Sequence, residues 1–349
     1  MEGTHPTRLG LIVPPSRRDL FGGERLAGVP ELEVTAIPYE DPPQVRQARR
    51  DRRLTPALAA LCPVLSAAEE AALARVEVAI ARDLPLELER RAPALRWVQA
   101  VGAGIEQLDP PGLACLGITL TNASGVAAAP IAEFVLARLL AEWKNLRELD
   151  ALQRSRTWTR QPTALVAGKV LGIVGLGAIG RATALRARAF GMRVLATARR
   201  VRSGDSDPAV DGLFPLTRDG EMLEQCDAVL ASMPSTPSTA GYFDGARFAE
   251  FKRGSIFCNV SRGAIVDEAA LLHALDAERP AVAILDVTAV EPNPPESRLW
   301  DHPAVRLSPH SSTSMEGYGE RLAELFLENL ARWRAGEPLR NVVDPELGY

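Results

Sequence analysis

At Lys169 the chain turns into KVLGIVGLGAIGRA: a short apolar run, a glycine-rich loop, then a stretch rich in Ala and Arg. Few segments constrain a backbone so closely. The apolar run predicts a strand, and Gly175 marks a tight turn. Gly177 lets the backbone approach another group, and Gly180 lets the following helix pack close to the strand. The first N–H groups of that helix, around Ala178 and Ile179, then face outward, an arrangement suited to a pyrophosphate.

From Lys169 onward, apolar runs alternate with helical stretches, the pattern of a doubly wound parallel sheet. Strands are expected at 170–174, 193–196, 228–232, 255–260, 281–287 and 305–308. Helices are expected at 181–190 and 268–277, the second with Asp267 as its N-cap. The earlier part of the chain reads as a less regular α/β segment, with strands at 9–13, 34–37, 76–81, 95–100 and 118–120. At 349 residues and 46% hydrophobic content, the length suits two domains with real cores.

Residues 130–149 read as one helix that is apolar nearly all round in its first half. Such a helix is buried on more than one side, either inside the monomer or in a subunit interface. Residues 315–335 form an amphipathic helix ended by Gly336.

A net charge of −4 gives no footprint for nucleic acid. The one basic run, Arg46 to Arg53, is read as a solvated helix face or loop. The four cysteines are scattered without a CxxC pair, so neither a metal site nor a disulfide framework is expected, and Cys226 and Cys258 read as small core residues. The apolar run 9–13 is too short for a signal peptide or membrane span. The chain therefore reads as cytoplasmic and soluble.

The chemistry collects after the strands of the second half, where open α/β sheets bind ligands. After the second strand come Ala198, Arg199 and Arg200; after the third, Pro234, Ser235 and Thr236; after the fourth, Val260, Ser261, Arg262 and Gly263. Asp286 and Glu291 follow the fifth strand and His310 the sixth. Ala198 stands where an NAD site would place a carboxylate for the ribose 2′-OH, and the two arginines can pair with a phosphate, so NADP is preferred over NAD. His310 is the acid–base candidate among four histidines. Glu291 could orient its ring and favour the imidazolium, and the planar fork of Arg262 suits capture of a carboxylate.

These segments resemble the D-isomer-specific 2-hydroxyacid dehydrogenase family over residues 76–343. The resemblance is carried by VGLGAIGRA, FKRGSIFCNVSRGAIVDEAAL, LDVTAVEPNPPESRLWDHPAV and RLSPHSS. It implies that Arg262 holds the carboxylate and carbonyl of a 2-oxo acid. His310 would protonate the carbonyl oxygen as hydride arrives from the nicotinamide, supported by Glu291. VGAGIEQLD resembles the family loop whose amides, around Val101, Gly102, Ala103 and Gly104, receive the substrate carboxylate. Asp286 resembles the acid near the nicotinamide carboxamide; Pro234, Ser235, Thr236, Val260 and Ser261 would lie beside the cofactor. The resemblance also implies two Rossmann-like/flavodoxin-like domains. A dinucleotide-binding domain (122–311) is inserted into a discontinuous substrate domain (1–121 and 312–349), and a homodimer is built on helix 130–149.

The first 75 residues match the family poorly, and SSTSMEGYG after His310 departs from its usual small apolar and glycine residues. The chain is expected to interconvert a small 2-oxo acid and its D-2-hydroxy acid, of the glyoxylate/hydroxypyruvate type, with NADP(H) before NAD(H). The alternatives are the same fold acting on a phosphorus oxyacid or a bulky acid, and a nucleotide-sensing regulatory protein.

Overall fold

The computed structural model describes residues 5–14, 16, 25–26, 28–199, 201–202 and 204–349. The chain divides into two compact units: residues 1–126 with 315–349, and residues 127–314. The second is thus an insertion in the chain path of the first.

The first unit holds five parallel strands, β1 (Thr7–Val13), β2 (Leu32–Pro38), β3 (Val78–Ala81), β4 (Trp97–Ala100) and β5 (Thr119–Thr121), in the order β2-β1-β3-β4-β5. This is a flavodoxin-like order. Side chains alternate across the sheet with a period of two. Leu9, Leu11, Val78, Ile80 and Trp97 enter one core, whereas Ile12, Ala79, Ala81 and Val98 enter the other. The helix Tyr318–Ala335 closes the first of these cores with Leu322, Leu325, Phe326 and Leu330, and Phe326 stacks on Trp97 at 5.1 Å. It starts three residues later than the pattern suggests, because Gly317 turns into the left-handed region at φ 74°.

The basic run corrects the sequence reading. Helix Pro43–Arg50 turns Arg46 and Arg49 inward, with side chains only 12% and 11% exposed. Arg46 grips the fully buried Asp83 with its Nε and Nη2, and Arg49 pairs with Asp41 at 2.9 Å. Burial pushes the Asp41 carboxyl above the usual range, opposed by the Arg49 guanidinium. Of the run's arginines, only Arg50, Arg52 and Arg53 are exposed. The acidic partners lie up to 37 residues away in sequence, so charge spacing within the run could not reveal them.

The second unit holds seven parallel strands: β6 (Val170–Val174), β7 (Arg193–Ala198), β8 (Gly212–Pro215), β9 (Ala228–Ala231), β10 (Ile256–Asn259), β11 (Val282–Leu285) and β12 (Val305–Leu307). Their order, β12-β11-β10-β9-β6-β7-β8, reverses at β6, the doubly wound Rossmann arrangement. One core takes Leu171, Ile173, Leu230, Cys258 and Ile284, and the opposite core takes Val174, Val229, Phe257 and Leu285. Burial raises the Cys226 thiol to about 12, so it behaves as an apolar filler. β8 escaped the sequence reading: it is a four-residue, half-buried edge strand ending in proline.

The expected helix 130–149 is two helices, Ala128–Trp143 and Leu146–Arg154. The break lies at Asn145, which adopts φ 50° and donates its side-chain amide to the Pro162 carbonyl at 2.7 Å. Asparagine tolerates this left-handed conformation, so apolar periodicity alone overruns the boundary. The first helix buries Ile131, Ala132, Val135, Leu136 and Leu139; the second buries nothing.

Candidate functional site

The carboxyl ends of the second unit's strands form the rim on which most of the candidates lie. At the end of β6, Gly175 has φ 102°, and a Cβ there would sit 2.8 Å from the Met233 backbone. Gly180 likewise has no room, since a Cβ would lie 2.7 Å from the Gly175 carbonyl. Gly177 differs, because a Cβ there meets no protein atom within 4 Å. The fold itself requires the outer two glycines. The space left by Gly177 opens outward, at the N-terminus of helix Ala178–Ala189, whose N-cap makes no side-chain hydrogen bond. Amides at the start of a helix carry partial positive charge and want an anion. The loop therefore fits a dinucleotide pyrophosphate, and Ser232 braces it by donating its hydroxyl to the Gly175 carbonyl at 2.8 Å.

β7 ends at Ala198, followed by exposed Arg199; Arg200 lies outside the described residues. After β9, Pro234, Ser235 and Thr236 form a turn closed by Thr239, whose hydroxyl accepts from the Thr236 amide and donates to the Pro234 carbonyl, both at 2.8 Å.

Arg262 follows β10 in extended conformation. Its placement rests on the fully buried Asn259, a residue the sequence reading passed over. The Asn259 side-chain oxygen accepts from the Ser261 amide and hydroxyl, and its amide donates to the Arg262 carbonyl at 2.9 Å. The only sequence signal was a polar residue closing the apolar strand Ile256-Phe257-Cys258. Next to it, Gly263 brings two backbones into contact, for a Cβ there would lie 2.0 Å from Thr288 C and O. Arg262 is thereby tied to the segment that carries Glu291.

Glu291 in turn binds both ways. One carboxylate oxygen accepts from the Thr288 amide at 3.3 Å, and the other lies 3.0 Å from His310 Nδ1. With Nδ1 engaged, Nε2 is the ring nitrogen left to give or take a proton. His310 itself sits at φ 51°. Its loop is seated on buried Asp286, whose carboxylate accepts from the Ser308 hydroxyl (2.6 Å) and the amides of Ser311 (2.9 Å) and Ser312 (3.0 Å). The other histidines have different settings: His302 is tied into the turn before β12 by accepting the Ala304 amide, and His5 and His273 are exposed.

In the first unit, Val101 to Gly104 form the loop after β4. Three of its carbonyls are occupied: Tyr318 donates to Val101, Ala123 to Gly102 and Asn122 to Ala103. Among the described residues, the amides of Gly102, Ala103 and Gly104 have no acceptor. Among the described residues there is also no group of three metal-ligating side chains, and no helix long and apolar enough to cross a membrane.

The contact at Gly263 generates a test. Gly263→Ala is expected to destabilise the protein by about 1–3 kcal/mol or more, because backbone rather than a flexible side chain must move. Urea unfolding measures this, and an unchanged midpoint would show that the two backbones are not in contact.

Residues 136–312 match the family model described as D-isomer specific 2-hydroxyacid dehydrogenase, NAD binding domain. A glyoxylate reductase from Korarchaeum cryptofilum (strain OPF8) is 34% identical over 268 residues, covering 75% of this chain and 80% of that protein. A D-3-phosphoglycerate dehydrogenase from Bacillus subtilis (strain 168) is 32% identical over 268 residues, which cover 74% of this chain but only 49% of the longer relative. Among solved structures, a D-isomer specific 2-hydroxyacid dehydrogenase from Xanthobacter autotrophicus Py2, in complex with NADPH and MES, superposes with a TM-score of 0.79 at 27% identity, over 99% of this chain and 100% of that one. An NADPH-dependent glyoxylate/hydroxypyruvate reductase from Sinorhizobium meliloti, in complex with NADP and sulfate, gives 0.75 at 26% identity, over 98% and 100%. The Rossmann order, the glycine loop and these likenesses agree: the chain belongs to the D-isomer-specific 2-hydroxyacid dehydrogenase family of NAD(P)-dependent oxidoreductases.

Proposed function

We propose that the protein reduces a small 2-oxo acid of the glyoxylate/hydroxypyruvate type to its D-2-hydroxy acid, with NADPH preferred. The observation that carries this reading is the Glu291–His310 pair at 3.0 Å, on the rim that also bears Arg262. Bound NAD(P)H supplies hydride to the carbonyl carbon. His310 Nε2 gives the carbonyl oxygen its proton, and Glu291 fixes the ring and stabilises its charged form. Arg262 pairs with the substrate carboxylate and polarises the carbonyl. Within the first unit, the acceptor-free amides of Gly102, Ala103 and Gly104 suit a carboxylate ligand. The second unit, residues 127–314, serves as the dinucleotide domain, within five residues of the expected 122–311 at either end, and the first unit serves as the substrate domain expected at 1–121 with 312–349. Dependence on the NAD(P)H pool fits a cytoplasmic protein.

Ala198 supports the cofactor preference, because β7 ends on an alanine rather than a carboxylate and Arg199 follows it. Gly175, Gly177, Ala178, Ile179 and Gly180 hold the pyrophosphate. Pro234, Ser235, Thr236, Val260 and Ser261 flank the cofactor, with Asp286 as the acid on the nicotinamide side. A second reading, oxidation of a phosphorylated hydroxy acid, has support from the D-3-phosphoglycerate dehydrogenases that match at comparable identity.

The copies pair as a homodimer through helices Ala128–Trp143 and Leu146–Arg154. The segment beyond them leaves Trp158 fully exposed (102%) and Leu165 largely so, an apolar surface that a second copy would cover.

Assays of NADPH and NADH with glyoxylate, hydroxypyruvate, pyruvate and phenylpyruvate, and of D-3-phosphoglycerate with either oxidised cofactor, test the substrate directly. Glyoxylate or hydroxypyruvate should give the highest kcat/KM; turnover of D-3-phosphoglycerate alone would favour the second reading. His310→Asn should lower kcat by about 10²–10⁴-fold, and Arg262→Ala should raise KM and lower kcat together. Wild-type kcat/KM in either folded variant would remove the role assigned to that residue.

Ala198→Asp should lower the NADPH-to-NADH ratio of kcat/KM by at least about tenfold through charge repulsion; an unaltered ratio would count against the cofactor assignment. Trp158→Ser should weaken self-association in sedimentation equilibrium, and a wild type that sediments as a monomer would rule out the dimer.

A further inference from the structure

The loop Val101–Gly104 is held by its carbonyls alone beyond the first residue. The Val101 amide continues the sheet by donating to the Ala81 carbonyl at 3.0 Å. Past that point three successive carbonyls each take a donor from elsewhere in the unit. Val101 O accepts the Tyr318 hydroxyl at 2.6 Å, Gly102 O the Ala123 amide at 3.0 Å, and Ala103 O the Asn122 side-chain amide at 3.3 Å. The peptide bonds here are trans, as cis bonds among the described residues occur only before Pro280 and Pro292. In a planar trans peptide, the C=O of one residue and the N–H of the next point in opposite directions. Holding the Val101, Gly102 and Ala103 carbonyls therefore aims the Gly102, Ala103 and Gly104 amides the other way.

We infer that Tyr318 is a positioning residue of this reaction: its hydroxyl fixes the Val101–Gly102 peptide so that the Gly102 amide meets the substrate carboxylate. Asn122 does the same for the Gly104 amide. The inference deepens the proposed function and rests on its reading of this loop as the carboxylate receptor. Tyr318 is well suited to the task. It is the first residue of the helix Tyr318–Ala335, which Leu322, Phe326 and Leu330 bury in the core, so its ring has a rigid base. Burial pushes its phenol up to about 12, so it remains a donor across the range of any ordinary assay. Asn122 is braced on its far side, where its amide donates to the Asn341 carbonyl at 3.0 Å and its side-chain oxygen accepts from the Ser124 amide.

Tyr318→Phe keeps the ring and removes only the hydroxyl. Losing one hydrogen bond that acts on bound substrate should raise the KM for glyoxylate and the inhibition constant of oxamate, a carboxylate that cannot be reduced, by about three- to tenfold. The kcat should change by less than about twofold, since the proton donor and hydride path are untouched. The dissociation constant for NADPH, followed by its fluorescence, should be unchanged. Asn122→Ala should give the same KM-selective loss and keeps the test available if Tyr318→Phe does not fold. A folded variant with wild-type KM and wild-type oxamate inhibition would overturn the inference while leaving the proposed reaction standing. A wild type that neither reduces any 2-oxo acid nor binds oxamate would overturn both.

Discussion

The carboxylate of Asp286, buried at the end of β11, gathers the Ser308 hydroxyl and the Ser311 and Ser312 amides into a single turn. That turn forces His310 to φ 51°, a conformation that costs a non-glycine residue roughly 1–2 kcal/mol. Hydrogen bonds to a carboxylate contribute about 1.5–3 kcal/mol each, so three of them outweigh the strain. The imidazole is thus held where the local backbone would not otherwise put it. The same carboxylate that the family resemblance places near the nicotinamide is here an internal anchor, with both oxygens engaged.

A second constraint works beside the first. Gly263 allows the chain after β10 to touch the chain after β11, which ties Arg262 to the segment holding Glu291. Since β10, β11 and β12 are neighbours in the sheet, three residues separated by 48 positions in sequence share one rim. The opposite side of the topological switch carries the glycine loop. There Gly177 alone leaves space that no protein atom needs. The glycine loop and the positions Arg262, Glu291 and His310 thus follow strands on the two sides of the point where the strand order reverses.

Much of this was legible in the residues because it is local. A strand–glycine loop–helix segment declares itself within 14 residues, and apolar runs followed by Arg262, Glu291 and His310 mark the rim. What escaped depends on tertiary contacts or on main-chain partners. Arg46 and Arg49 look solvated until Asp83 and Asp41 are placed beside them. The break at Asn145 depends on a carbonyl 17 residues away. Asn259 and Tyr318 act on main-chain atoms, which leave no imprint in a side-chain pattern. β8, short and at an edge, lacks the burial that makes its neighbours readable.

On the proposed reading, Glu291 acts on the reaction only through the His310 ring. A double-mutant cycle tests it most directly, with kcat/KM measured for Glu291→Gln, His310→Asn and the pair. If the claim holds, the double variant is no slower than His310→Asn alone, because the carboxylate has nothing left to orient. Losses that multiply would mean that the two groups act independently and that Glu291 has a role apart from the ring.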